Sequence, residues 1–174
     1  LHVLMCSAGG SIPADDFIPD VDLAVFEHTM RLDLLGTMLA CRHGIPEIVK
    51  AGGGAVVNLS SGAALRGSSP AHIYTAAKGG IAALTHAMAV TLAGKARVNS
   101  ISPGWIDTTG AQFEGADMAQ HPAGRVGTPS DIVHAVMFLC DEESGFITGQ
   151  DIIVDGGMTK LMVYHNDYGW TYKP

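Results

Sequence analysis

Apolar residues along this chain come in short unbroken blocks, separated by longer stretches in which they recur every three or four positions. Leu1 to Cys6 is the first block and runs into Ala8-Gly9-Gly10, which predicts a buried strand ending in a turn. Ala55-Val56-Val57-Asn58-Leu59 is the second, set off by Gly52-Gly53-Gly54 and leaving through Ser60-Ser61-Gly62. Arg97 to Ser102 predicts a third strand, stopped by Pro103-Gly104, and Gln150 to Val154 a last one, ended by Asp155-Gly156-Gly157. Between these blocks the helical period takes over. Leu23, Phe26, Met30, Leu34 and Met38 predict a long helix from Asp20 to about Lys50, with Pro46 expected to kink or restart it. From about His72 to Leu92, one side carries Ile73, Ala77, Ile81, Leu84 and Met88, which suits a sheet. A second side carries only Ala76, Gly80, Ala83 and Ala87, which suits a close helical neighbour. Pro129-Ser130-Asp131 opens a helix through Cys140, with Pro and an acidic residue in its first turn. The polar, Gly-containing stretch up to Thr128 predicts a flap over a site.

Strands that do not alternate apolar with polar, each followed by a helix, predict a parallel sheet covered on both faces: an α/β doubly wound fold, in one domain over residues 1–174. Ligands bind such sheets beyond the carboxyl ends of the strands, so the four turns just named should surround the site. Composition supports a large core, with 47% apolar and 16% charged residues. A net charge of -7, with ten scattered Lys and Arg, excludes a nucleic-acid footprint. Cys6, Cys41 and Cys140 are odd in number and far apart in apolar surroundings. They predict reduced core thiols in a cytoplasmic protein and no metal site. The apolar helical stretch Ile81 to Ala93 is interrupted by Thr85, His86 and Thr91 and is too short to span a membrane. Leu1 opens directly onto a strand without a basic flank, so neither a signal peptide nor the chain's true beginning is expected here.

The chemistry centres on Tyr74 and Lys78, four residues apart on one helical face. A cation at roughly 4 Å, at an effective dielectric of about 20, is worth around 4 kcal/mol or some three pK units, enough to bring a phenol into working range. Taken alone, the pair fits a half-buried Tyr beside a solvated Lys more readily than a catalytic couple. Ser61 leaves a buried strand thirteen positions earlier, where strand end and helix start can meet; a plain turn-capping Ser is the simpler alternative.

The flanking sequence resolves this. Val57-Asn58-Leu59-Ser60-Ser61-Gly62, Tyr74-x-x-x-Lys78, Asn99-Ser-Ile-Ser-Pro103-Gly104, Gly124-Arg125-x-Gly127-x-Pro129-x-Asp131 and Ile147-Thr148-Gly149-Gln150-x-x-x-Val154-Asp155-Gly156-Gly157 closely resemble the short-chain dehydrogenase/reductase family, in order and over nearly the whole chain. The resemblance implies a Rossmann-like fold that lacks its first βαβ units, an NAD or NADP cofactor, and hydride transfer between that cofactor and a small-molecule alcohol or ketone. It implies Tyr74 as general acid/base, Lys78 lowering its pKa and holding the nicotinamide ribose, and Ser61 bonding the substrate oxygen. Ala8, Gly9, Pro103, Gly104, Ile106 and Thr108 would border the cofactor, with Ile106 meeting the carboxamide through its backbone. Family members usually form homodimers or homotetramers. The small-residue face and an apolar strand and tail near Ile152 to Val163 are the contacts expected to do so here.

Two positions depart from the family pattern. The turn before the cofactor reads Cys6-Ser7-Ala8-Gly9, without its usual side-chain amides. The helix Asn that orients a relay water falls at Asp33, which can accept from that water but donates only when protonated. Nor does a Gly-x-x-x-Gly-x-Gly phosphate turn occur anywhere in the 174 residues. These features favour the alternative of a non-catalytic fragment or pseudoenzyme, which the joint presence of Ser61, Tyr74 and Lys78 opposes. His72 is expected to be a polar helix-start residue, Trp105 to pack beside the cofactor site and Met158 to line a pocket.

Overall fold

The structure is a computed structural model that describes residues 1–67, 70–162, 164 and 166–169. Four strands form one all-parallel sheet in chain order: β1 (Val3–Cys6), β2 (Ala55–Leu59), β3 (Arg97–Pro103) and β4 (Asp151–Val154). Val57 of β2 pairs with Met5 and Asn99, and Ile101 with Ile152, so β2 and β3 are the central strands. That position explains their sequences. With neighbours on both edges and helices on both faces, Ala55, Val56, Val57 and Asn58 are all buried.

Helices α1 (Leu23–Thr29), α2 (Gly36–Lys50), α3 (His72–Thr91), α4 (Ala116–Ala119) and α5 (Pro129–Cys140) connect the strands. Ile48, Val56, Ala89 and Val98 pack with Cys6 and Cys41 into one core cluster, between the sheet and α2 and α3. Val57, Ile101, Ile132, Val136 and Leu139 form a second on the opposite face, under α5. Two cores on opposite faces of a parallel sheet make the fold doubly wound, as the strand pattern predicts. Cys6 and Cys41 are buried with sulfurs 3.9 Å apart, and Cys140 is half-buried. Among the described residues no cluster of metal-ligating side chains occurs, and no helix is long and apolar enough to cross a membrane.

Two expectations change. The helix from Leu23 to Lys50 runs through Pro46 inside α2; its irregular stretch lies earlier, a π-helical segment at Met30–Leu35. The wider turn re-aims Asp33 into the interior, and such bulges are frequent at functional sites. The small-residue side of α3 is divided: Gly80 sits against Leu34, where a Cβ would come within 2.9 Å of Leu34 Cδ2, while Ala76, Ala83 and Ala87 are exposed. The tail expectation reaches Val163, which lies outside the described residues.

Candidate active site

The carboxyl end of β2 and the first turns of α3 are locked together by Lys78. Its carbonyl accepts from Ser60 Oγ at 2.9 Å, and its ammonium donates to Leu59 O at 3.1 Å. The ammonium also pairs with Asp33 Oδ1 at 3.2 Å, and the two side chains are 5% and 0% exposed. Neither Asp33 oxygen has a hydrogen bond of good geometry among the described residues, so Lys78 is its one strong partner there. The Lys78 nitrogen lies 5.6 Å from the centroid of the Tyr74 ring, one helical turn back. Gly9, in the turn after β1, lies against Asp33. Its φ is +118°, and a Cβ there would run into the Asp33 carboxylate, whose Cγ lies 2.8 Å from that position.

Burial pushes the Tyr74 phenol above its ordinary pKa, the Asp33 charge adds to that, and the Ser61 hydroxyl pulls the other way. Ser61 lies close enough to favour the phenolate, although no well-formed hydrogen bond joins the two side chains; Ser61 Oγ accepts instead from Ala63 N at 3.1 Å. The downward shift expected from Lys78 is therefore not the dominant effect. The ammonium is 3.2 Å from a carboxylate, which offsets much of its field at the phenol.

Sequence reasoning missed Asp15. This buried residue lies in the loop after β1, and its carboxylate accepts from Ile73 N at 3.0 Å and Tyr74 N at 3.0 Å, capping the helix that carries the phenol. The two partners are 59 positions apart in the chain, so no local pattern could have shown it. Asp107 was also missed: its carboxylate receives Thr109, Gly110 and Ala111 N–H groups at 2.9 to 3.0 Å and shapes the turn holding Thr108.

Ser61, Tyr74, Pro103 and Gly104 line one cavity of about 580 Å³, together with Arg66, Trp105, Met158 and Thr159. Asp33, Lys78 and Gly9 meet beside it. Ile106 lies on the following loop and is bridged to Gly127 through Asp107 N–Gly127 O at 2.9 Å and Gly127 N–Trp105 O at 3.1 Å. Ile106 uses neither its own N–H nor its own C=O in that pairing. Thr108 and Ala8 are exposed at the same end of the sheet. Trp105 stacks edge-on against Phe113, with centroids 5.1 Å apart. His72 starts α3 with Nδ1 2.9 Å from Asp16 O and does not line the cavity.

Comparison with known proteins decides the family. Residues 1–159 match the family described as enoyl-(acyl carrier protein) reductase. A short-chain type dehydrogenase/reductase from Mycobacterium ulcerans superposes with a TM-score of 0.84 at 34% identity, over 92% of this chain and 61% of that one. An uncharacterized oxidoreductase of Thermotoga maritima is 44% identical over 153 residues, 82% of this chain and 60% of its own length. The chain belongs to the short-chain dehydrogenase/reductase family. Another solved member of the fold, ElxO, was determined with NADP bound; it superposes with a TM-score of 0.83 at 28% identity, covering 92% of this chain and 68% of that one. The short-chain dehydrogenase/reductase chain described here spans about six-tenths of the length of the curated relatives it matches.

Proposed function

We propose that this chain carries the proton-transfer half of an NAD(P)-dependent oxidoreductase that interconverts a small-molecule alcohol and its carbonyl compound. The observation that carries this reading is the convergence of Tyr74 and Ser61 on one cavity, with the buried Lys78 ammonium one helical turn behind the phenol. In the direction of oxidation, Tyr74 Oη accepts the proton of the substrate hydroxyl. Ser61 Oγ bonds the same oxygen and steadies the charge that develops on it. Lys78 holds a fixed positive charge near the phenol, and Asp33 holds Lys78. In reduction the same phenol returns the proton.

The residues fit a nicotinamide. Ile106 leaves one backbone donor and one acceptor free of the Gly127 pairing, the complement of a primary carboxamide, and the Lys78 ammonium has donors to offer a ribose hydroxyl. A nicotinamide bound there supplies the two-electron acceptor or donor that no side chain can be. Gly9, Ala8, Pro103, Gly104 and Thr108 are the neighbouring residues we assign to that side. The single-domain reading of residues 1–174, a homodimer or homotetramer formed partly through Ala76, Ala83 and Ala87, and a cytoplasmic location belong to the same proposal.

The test is Tyr74→Phe in the natural full-length chain, which removes the transferable proton and little volume. Turnover should fall by several orders of magnitude with cofactor affinity nearly unchanged; retained turnover refutes the role. One observation favours a second, non-catalytic reading: the Asp33 carboxylate already occupies Lys78. Fluorescence titration of the natural full-length chain with NADH and NADPH separates the two, since a pseudoenzyme of this kind binds neither. Residues 1–174 expressed alone should show no appreciable turnover, because no glycine-rich phosphate turn is present to hold a pyrophosphate.

A further inference from the structure

One charged side chain on the cavity wall has no part in the chemistry above. Arg66 lines the same space of about 580 Å³ as Ser61 and Tyr74, and it is the one charged residue there among the described residues. The other lining side chains are small, apolar or hydroxyl-bearing. No carboxylate answers it: the ion pairs among the described residues are Lys50–Glu47, Lys78–Asp33 and Arg125–Asp131. Arg31, Arg42 and Arg97 likewise lack an acidic partner among the described residues, and Arg66 differs from them in lining the cavity that holds Ser61 and Tyr74.

Its place is set by the turn that carries Ser61. Arg66 N donates to Gly62 O at 3.1 Å, closing the short 3-10 helix of Gly62–Ala64. Thr159 approaches the same glycine from the other side, its Cγ2 3.5 Å from where a Gly62 Cβ would lie. The Thr159 hydroxyl is buried and near the Asp155 carboxylate, but it makes no well-formed hydrogen bond among the described residues. Around Gly62, then, Arg66 lines the cavity with no acidic partner among the described residues, and the Thr159 methyl packs beside the glycine that follows the serine.

We propose that the substrate is a hydroxy- or oxo-carboxylate, whose carboxylate is received by Arg66 while its carbinol or carbonyl oxygen meets Ser61 and Tyr74. The inference rests on the oxidoreductase reading of those two residues. The planar fork of guanidinium donors matches the two oxygens of a carboxylate, and neutral walls elsewhere leave no competing site for the charge. Arg66 is exposed on one side, so the contact selects among substrates and weakens with salt.

Trp105 is 38% exposed on the same wall and serves as the reporter. The natural full-length chain is titrated with 3-hydroxybutyrate and with its methyl ester while tryptophan fluorescence is followed, and Trp105→Phe identifies the signal. The acid should bind about tenfold more tightly than the ester. That preference should vanish in Arg66→Ala, survive in part in Arg66→Lys and shrink with added salt. Equal affinity for acid and ester, acid binding untouched by Arg66→Ala, or no response to either compound overturns the proposal. Failure of the oxidoreductase reading is a different result: full turnover by Tyr74→Phe, whatever Arg66 binds.

Discussion

Asp33→Asn removes a buried charge with almost no change of volume, and it should lower the pKa of the Tyr74 phenol. Two distances set the direction. The Lys78 nitrogen lies 5.6 Å from the Tyr74 ring centroid, and at an effective dielectric of about 20 an ammonium there is worth about 3 kcal/mol in favour of the phenolate. In the native protein the Asp33 carboxylate, 3.2 Å from the same nitrogen, offsets that field and itself pushes the phenol upward. With Asn at position 33 the ammonium acts uncompensated. The assay is ultraviolet absorbance of the phenolate through alkaline pH, with Tyr74→Phe subtracted. A midpoint in Asp33→Asn at or above the native one refutes the reasoning. Stability gives a second readout. Because the folded phenol holds its proton more tightly than the unfolded one, its contribution is present below the ordinary pKa near 10 and is lost as pH rises through the folded value. Asp33→Asn should shrink that alkaline loss, while costing up to about 3–5 kcal/mol near neutrality because Lys78 loses its buried counter-ion.

Gly9→Ala places a Cβ in the Asp33 carboxylate at φ +118° and should cost about 1–3 kcal/mol, read as a thermal midpoint lower by at least about 2 °C; an unchanged midpoint would mean that β1 and the π-helical segment do not meet as described. Asp131 is held far below the usual carboxylate range, first by the Arg125 guanidinium and then by Thr128 N–H. Its contribution is therefore present above the ordinary pKa near 4 and lost as pH falls through the folded value. Asp131→Asn should destabilise α5 by about 1 kcal/mol near neutrality and by a smaller amount near about pH 2, measured by urea denaturation at both. A pH-independent difference counts against the cap.

What could be read from the sequence was whatever the chain repeats locally. Ala55-Val56-Val57 announced a strand buried on both faces because nothing polar interrupts it, and Pro129 with Asp131 in the first turn announced the start of α5, whose capping box with Thr128 only the structure shows. Ser61, Tyr74 and Lys78 were legible as a resemblance and then as one helical turn. Asp15 was not, since its two amide partners lie far along the chain and are met only after the loop folds across α3. Pro46 drew attention away from Met30–Leu35, where ordinary helix formers nevertheless adopt a wider turn; no residue type marks that choice. Arg66 looked like one of several scattered cations until the turn at Gly62 brought it to the cavity wall.

Lys78 is fastened at both its ends where β2 finishes, its ammonium to Leu59 on the strand and its carbonyl to Ser60 just past it, and that strand has neighbours on either edge. Freeing it would mean lifting α3 off the middle of the sheet, an opening as costly as unfolding the core itself. The site is thus not a soft spot that melts ahead of its scaffold. On heating, capacity for chemistry and tertiary structure should disappear together, and a protein that still holds its sheet still holds its lysine in place.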